Sequence, residues 1–410
     1  MNAYLDNRNA LFVIILFIIY PLGAFPFIVY EVLRYKKYAF FLLAIFMGLW
    51  SMYYFPWADQ NRYFNLFESY RDILFVDLFD FTDISIYYKF NLVQIFLFLI
   101  SHLGLNFEIC RFFFVVFSYL IIFSVYRDII GPSPSTSLLK IHKYTFLLLF
   151  FVIPFHSISE GFRTGLAACL FVKGFYLIYY KDNAWGWFFL LLSFFVHFFI
   201  FVFVLWVVLD KTILPLLNKK MLPILCFFAF VFGSILFYKI LSLFSFFDFF
   251  EFLLNGNYVS GKYGMEYDGD LGAVVLTYIV VKIPLFISIY CFYLVSRKEN
   301  ISNSLFYLIL ILSLSFYYQT IFYRFSIVSM ILFVVYYLFI AKKRLFIAKI
   351  PYFALLVSLI CSFFIPYYAK RHYHLLSDEY KILYSPLPVI LFHSYDLGEV
   401  NALLDENGDL

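Results

Sequence analysis

The chain has 410 residues, of which 64% are hydrophobic, 25% aromatic and only 14% charged, and its mean hydropathy is +0.89. So much apolar surface exceeds what a soluble domain buries, and predicts an all-α, polytopic integral membrane helical bundle forming one membrane domain over 1–410. The net charge of +4 follows from short basic segments flanking apolar runs, so it gives no concentrated basic surface and excludes nucleic acid as a partner.

Met1 to Asn9 carries Asp6 and Arg8 but no basic leader region, and the following apolar run lacks a small-residue cleavage site. It reads as a retained first span. Apolar runs near 10–30, 38–55, 112–126, 144–158, 165–180, 221–246, 271–295, 303–318, 325–341 and 350–368 read as helices matched to ~30 Å of hydrocarbon. Two segments are open. Residues 90–107, with Asn91, Gln94, His102 and Asn106, cross, re-enter or lie at the interface; residues 185–209 form one tilted helix or a broken hairpin. The total is about 10–12 spans, with re-entrant or interfacial helices among the alternatives.

Positive-inside counting depends on these two segments. If both cross, Lys211, Lys219 and Lys220 lie inside and Asp59 faces the side opposite Glu160 and Arg163. If neither makes a net crossing, Arg127, Lys140, Lys143 and Lys181 lie inside, while Asp59, Glu160, Arg163 and Arg324 share the outer side. The second arrangement is preferred because it assembles the polar groups. Residues 56–89, with Asp59, Asp72, Asp77, Asp80 and Asp83, and 248–270, with Asp248, Glu251, Glu266, Asp268 and Asp270, read as external loops, and 369–410 as a C-terminal tail. Cys110, Cys169, Cys226, Cys291 and Cys361 stand singly in apolar segments, the pattern of packing residues rather than disulfides or metal ligands.

The polar island Ser159-Glu160-Gly161-Phe162-Arg163-Thr164 stands out because ionisable groups near a bilayer pair, face a water-filled cavity or bind charged substrate. Glu160 and Arg163 are either a local ion pair on one helix face or a phosphate clamp with its orienting carboxylate. Asp59, in Trp57-Ala58-Asp59-Gln60-Asn61-Arg62-Tyr63, is either a helix cap in an aromatic belt or a general base with Tyr63 one turn away. His197 is a core histidine or a proton carrier. Tyr323-Arg324 is an interfacial anchor or a second substrate contact. Asp268-Gly269-Asp270 is a solvated loop or a divalent-metal chelate, of which the first reading is retained. Nothing resembles a P-loop, a dinucleotide-binding glycine pattern, a zincin helix or a nucleophile elbow.

The order of these pieces over residues 38–205 resembles the EpsG-type exopolysaccharide polymerases, a Wzy-like family of bacterial inner-membrane proteins. Asp59 and Tyr63 match a Gly-x-Asp-x-x-x-Tyr element without its Gly. Residues 160–167 match Asn-x-x-Arg-Gln-x-x-Ala with Glu160 for Asn and Thr164 for Gln, and Lys181 and Val196-His197 match a basic turn and an aromatic-His pair. The resemblance implies a glycosyltransferase that moves a growing glycan from undecaprenyl diphosphate onto a lipid-linked repeat unit at the periplasmic face. Neither cofactor nor metal is implied; the implied partners are an undecaprenyl-diphosphate-linked oligosaccharide and membrane lipids, with binding of a chain-length regulator left open. Arg163 and Arg324 would hold the diphosphate, Asp59 would be the base with Glu160 and His197 as alternatives, and Arg62, Tyr63 and Tyr323 would line the substrate. A lipid-linked-oligosaccharide flippase or transporter, or another polyprenyl-donor transferase or ligase, would use similar residues.

Overall fold

The computed structural model describes residues 2–57, 59–75, 92–132, 134–212, 222–243, 271–296, 302–344, 352–365, 367 and 371–404. The described residues are helical, without strands. The loop expected at 248–270, with Asp268-Gly269-Asp270, lies outside them, as do Asp77, Asp80, Asp83, Lys219 and Lys220.

Prolines divide what hydropathy alone joins. The expected span at 10–30 is two helices, α1 (Asn2–Ile19) and α2 (Pro21–Leu33), because the ring of Pro21 keeps Tyr20 out of the helical region, at φ −149° and ψ 81°. Helix α3 (Lys37–Met52) follows the turn at Tyr35, then α4 (Asp59–Ser69) and α5 (Leu92–His102). The 11 described residues of α5 span about 16 Å, less than the ~30 Å of hydrocarbon. Helices α6 (Phe107–Ile130) and α7 (Thr136–Val152) come next, and Pro154 separates α7 from the short α8 (Phe155–Ser159), so the run expected at 144–158 is also broken. Helix α9 (Phe162–Tyr180) is followed by α10 (Trp185–Val196) and α11 (Phe201–Thr212), and α12 (Leu222–Val231) and α13 (Gly233–Leu243) break at Phe232. Helices α14 (Leu271–Ser296), α15 (Ser302–Ser315), α16 (Gln319–Arg344) and α17 (Tyr352–Leu359) complete the bundle. Four short pieces close the chain: α18 (Arg371–Leu376), a tight turn at Glu379–Leu383, α19 (Leu387–Leu391) and α20 (Leu397–Leu403). Among the described residues α6, α9 and α16 contain stretches long and apolar enough to cross a membrane. The α16 stretch is the most enclosed, 89% buried, which makes it the central post.

The segment 185–209, left open by the sequence, is a hairpin. Helix α10 runs antiparallel to α9, with Gly186 against Gly174 and Ile178, and Leu190 against Gly174. Helix α11 then returns alongside α9, Phe203 meeting Phe171 at 5.6 Å and Trp206 meeting Phe175 at 5.4 Å between ring centres, and Tyr179 donating to Asp210 at 2.6 Å. Glycine permits the close approach: a Cβ on Gly186 would stand 2.7 Å from the Gly174 carbonyl oxygen. The apex at 197–200 therefore lies level with the start of α9, and both feet lie level with its end.

The bundle has two chemically distinct ends. At one, Tyr35 donates to the Gly131 carbonyl at 2.6 Å, a His142 ring nitrogen bonds the Val32 carbonyl at 2.7 Å, and Ser304 donates to Asp210 at 2.7 Å. Lys36, Lys37, Arg127, Lys140, Lys143, Lys181 and Lys342 belong to the helix ends and turns gathered there. At the other end Arg111 donates to the carbonyl of Met52 at 3.1 Å, Gln60 to that of Ser159 at 2.7 Å, and Tyr395 to that of Tyr53 at 2.5 Å. The last contact docks the C-terminal segment over this second end.

Candidate functional site

All eight sequence candidates lie at the second end. Asp59 opens α4 with half of its side chain exposed, and its two oxygens take separate arginines: Oδ1 is 3.5 Å from Arg62 and Oδ2 3.8 Å from Arg324. Tyr63, one turn along α4, lies under the guanidinium of Arg163, whose Cζ is 4.5 Å from the ring centre. Such a contact stabilises by about 0.5–2 kcal/mol and holds the fork in place. Tyr323 hydrogen-bonds Ser157 through its hydroxyl. Glu160 lies 3.5 Å from Nδ1 of His156.

Glu160 and Arg163 do not share a continuous helix: α8 ends at Ser159, Gly161 stands at φ −93° and ψ 49°, and α9 starts at Phe162. The three-residue spacing therefore does not set their geometry; the turn does. A Cβ on Gly161 would meet the Ser157 carbonyl oxygen at 2.9 Å, which explains a glycine at this tight break.

His197 forms the apex of the α10–α11 hairpin and is 7% exposed. Its charged neighbours are Arg163 and Arg324. Nδ1 accepts from the Phe199 backbone N–H at 3.4 Å, which leaves the ring proton on Nε2. His197 is accordingly a hydrogen-bond donor in this arrangement, suited to an anion rather than to taking a proton.

Several residues that the sequence did not single out build the frame. Arg111, with no exposed side-chain surface, donates to the carbonyl of Tyr54 at 2.6 Å and to Oε1 of Gln60 at 2.9 Å, and faces Glu108 at 3.6 Å. Through Gln60 and Ser159 it ties the Asp59 segment to the turn carrying Glu160. The C-terminal segment supplies His374, paired through Nδ1 with Glu379 at 2.8 Å, and Tyr373, stacked on Trp57 at 4.1 Å. The one available signal for Arg111 was its spacing of three from Glu108 at the head of an apolar run; Glu379 is only five residues from His374, but the ring neighbours Tyr54 and His156 that place His374 at this end are remote in the chain.

An apolar cavity of about 310 Å³ adjoins the site, between α5, α6, α9 and α10. Leu92, Phe96, Phe114, Phe117, Leu166 and Val196 are among its walls. Leu166 is one turn from Arg163 and Val196 precedes His197, while Phe117 is 47% exposed on the outer side of α6. The cavity thus runs from chain positions beside Arg163 and His197 to the apolar flank of the bundle. Among the described residues no three His, Cys, Asp or Glu side chains converge as metal ligands. The chain matches no protein-family model, no curated protein and no solved structure.

Proposed function

We propose that this chain is a polytopic membrane glycosyltransferase, a Wzy-like polysaccharide polymerase of the bacterial inner membrane. It transfers a growing glycan from undecaprenyl diphosphate onto a lipid-linked repeat unit at the periplasmic face. The observation that carries the reading is the juxtaposition of Arg163, Arg324 and the His197 apex with an apolar side cavity. A lipid-linked diphosphate needs that combination: cations for the headgroup beside a dry path for a stretch of polyprenyl chain. The gathering of lysines at the opposite end supports placing that end in the cytoplasm and the arginine site outside. The shortness of the described helix α5 and the return of 185–212 on itself support the arrangement in which neither open segment makes a net crossing.

In this reading Arg163 and Arg324 hold the diphosphate and meet the charge that grows as the glycosidic bond breaks, and His197 donates to the same anion. Asp59, with each oxygen on an arginine, orders those cations rather than serving as the base. Tyr63 fixes Arg163 from below, and Tyr323 fixes the adjoining Arg324 through Ser157.

The test is deletion of the gene in its native host, with the surface polysaccharide resolved on a gel and complementation by wild type and Arg163→Ala. Loss of the ladder with single repeat units retained, restored by wild type alone, is the expected result. Lipid-linked units trapped on the inner leaflet would instead make the protein a flippase, and a product short of one added sugar would make it a monosaccharide transferase.

A further inference from the structure

We propose that His374, oriented by Glu379, is the general base of this glycosyl transfer and takes the acceptor hydroxyl proton on Nε2. The inference rests on the polymerase reading above. Its ground is the geometry of the C-terminal segment, where α18 and the following turn place an imidazole and a carboxylate 2.8 Å apart, with side chains 5% and 8% exposed.

The pairing fixes the tautomer. Nδ1 faces the Glu379 carboxylate and so carries the hydrogen, which leaves a lone pair on Nε2. That nitrogen is buried and makes no hydrogen bond among the described residues. A buried polar atom without a partner calls for an explanation, and a poised proton acceptor supplies one. A carboxylate holding Nδ1–H while Nε2 faces the chemistry is the arrangement by which an acid orients a catalytic histidine.

The dyad belongs to the site end. The His374 ring lies 5.6 Å from that of His156, which pairs with Glu160 immediately before the Arg163 helix, and 5.4 Å from that of Tyr54. The Tyr54 hydroxyl is likewise buried without a hydrogen bond, and Tyr367 stacks on His374 at 4.0 Å. The titratable groups around the imidazole are therefore Glu379, His156, Glu160, Tyr54 and Tyr367. His197 holds the opposite tautomer, with its acceptor nitrogen taken by Phe199, and both oxygens of Asp59 face guanidiniums. His374 combines an open acceptor nitrogen with a carboxylate at hydrogen-bond distance from Nδ1, 2.8 Å, whereas His156 stands 3.5 Å from Glu160.

The step balances. The acceptor oxygen bonds the anomeric carbon and yields its proton to Nε2. The bond from that carbon to the diphosphate oxygen breaks, its electron pair leaving with the oxygen between Arg163 and Arg324. Glu379 stabilises the imidazolium, which then releases its proton to water or to the departing diphosphate.

The test uses the purified full chain in liposomes, supplied with lipid-linked repeat units extracted from the deletion host. Wild type should build polymer with a rate that falls on the acid side of its pH profile. His374→Ala should lower kcat by about 100-fold or more, leave KM little changed, and lose the acid limb from its residual rate. His374→Asn, whose amide nitrogen stands where Nδ1 does and still donates to Glu379 but cannot take a proton, should be equally slow. Absence of polymer from wild type would sink the polymerase reading itself. Polymer from wild type with full-rate turnover by either variant, or a residual rate that keeps the acid limb, would overturn the assignment of His374.

Discussion

Arg111→Met tests whether one buried cation holds the site together. Arg111 and Glu108 expose 0% and 1% of their side chains, so the substitution removes a guanidinium that bonds Tyr54, Met52 and Gln60 and leaves Glu108 buried opposite no cation. Breaking one partner of a buried ion pair costs about 3–5 kcal/mol, most of it from the charge left behind. Glu108 keeps one weak contact, the Tyr395 backbone N–H at 3.4 Å, which cannot replace the arginine. Arg111→Met should therefore lower the thermal midpoint of the detergent-solubilised protein and loosen both the Asp59 segment and the docked C-terminal segment. Arg111→Lys should fall between, because a single ammonium cannot span three acceptors set by a planar fork.

The double variant Arg111→Met, Glu108→Gln separates the charge from the shape. If the cost is an uncompensated carboxylate, neutralising Glu108 should return about 1–3 kcal/mol of the loss as a coupling energy. Unfolding midpoints of the four proteins in the cycle measure it. Strict additivity, or an Arg111→Met protein with an unchanged midpoint, would refute the reasoning.

Arg163→Ala should abolish polymer while the protein remains inserted, and Arg163→Lys should recover part of the activity, since a point charge lacks the bidentate fork; equal ladders from alanine and wild type would remove the clamp. Gly186→Val should pry α10 from α9, because its Cβ would stand 2.5 Å from Ile178 and 2.7 Å from a carbonyl oxygen that cannot yield; the expected loss is about 1–3 kcal/mol, read from the unfolding midpoint. Cysteines placed at Trp185 and Lys211 should label from the same side of oriented vesicles, and labelling from opposite sides would turn the hairpin into a crossing. His393, 9% exposed, is pushed by burial from 6.5 down to about 4. The unfolded form therefore binds a proton first, so this contribution is present above about pH 6.5 and is lost as pH falls toward 4, by about 3 kcal/mol at most. Proteolysis of segment 371–403 should accelerate at pH 4.5 relative to pH 7, less so in His393→Phe, and equal acceleration in both proteins would exclude His393 as the cause.

The composition made the all-helical architecture legible, and the span ends were where polar candidates were sought, which is where the structure gathers them. Averaging hydropathy along the chain hid the breaks at Pro21 and Pro154, although each is a local signal: proline removes a backbone donor and constrains the residue before it. The hairpin at 185–212 was one of two open alternatives because its cause is not local. It depends on Gly174 and Gly186 meeting across two helices and on Asp210 reaching both Tyr179 and Ser304. The C-terminal segment was read as a polar tail for the same reason. Its partners, Tyr53, Tyr54, Trp57 and Glu108, lie about 300 residues away in sequence, as in the separation of 287 between Tyr395 and Glu108.

A hairpin apex at membrane depth is viable only if its backbone groups find partners in protein, since hydrocarbon offers none. The apex at His197 meets that condition: Ile200 N–H donates to the His197 carbonyl at 3.2 Å, Phe199 N–H to the His197 ring, and Phe203, just beyond, packs on Phe325 of α16 at 5.0 Å. Such enclosure explains why a polar side chain can stand there, and also why it points to chemistry. The same two helices would bury their apolar faces equally well around a loop of aliphatic residues, whereas a histidine flanked by Arg163 and Arg324 adds a donor one hairpin away from the feet level with the end of α9. Leu192 and Val196 on the rising arm wall the apolar cavity, so the arm that carries His197 also shapes that cavity. Under the proposed function, headgroup and tail contacts would lie on one rigid element, so that binding of either half of a lipid-linked substrate would favour the placement of the other.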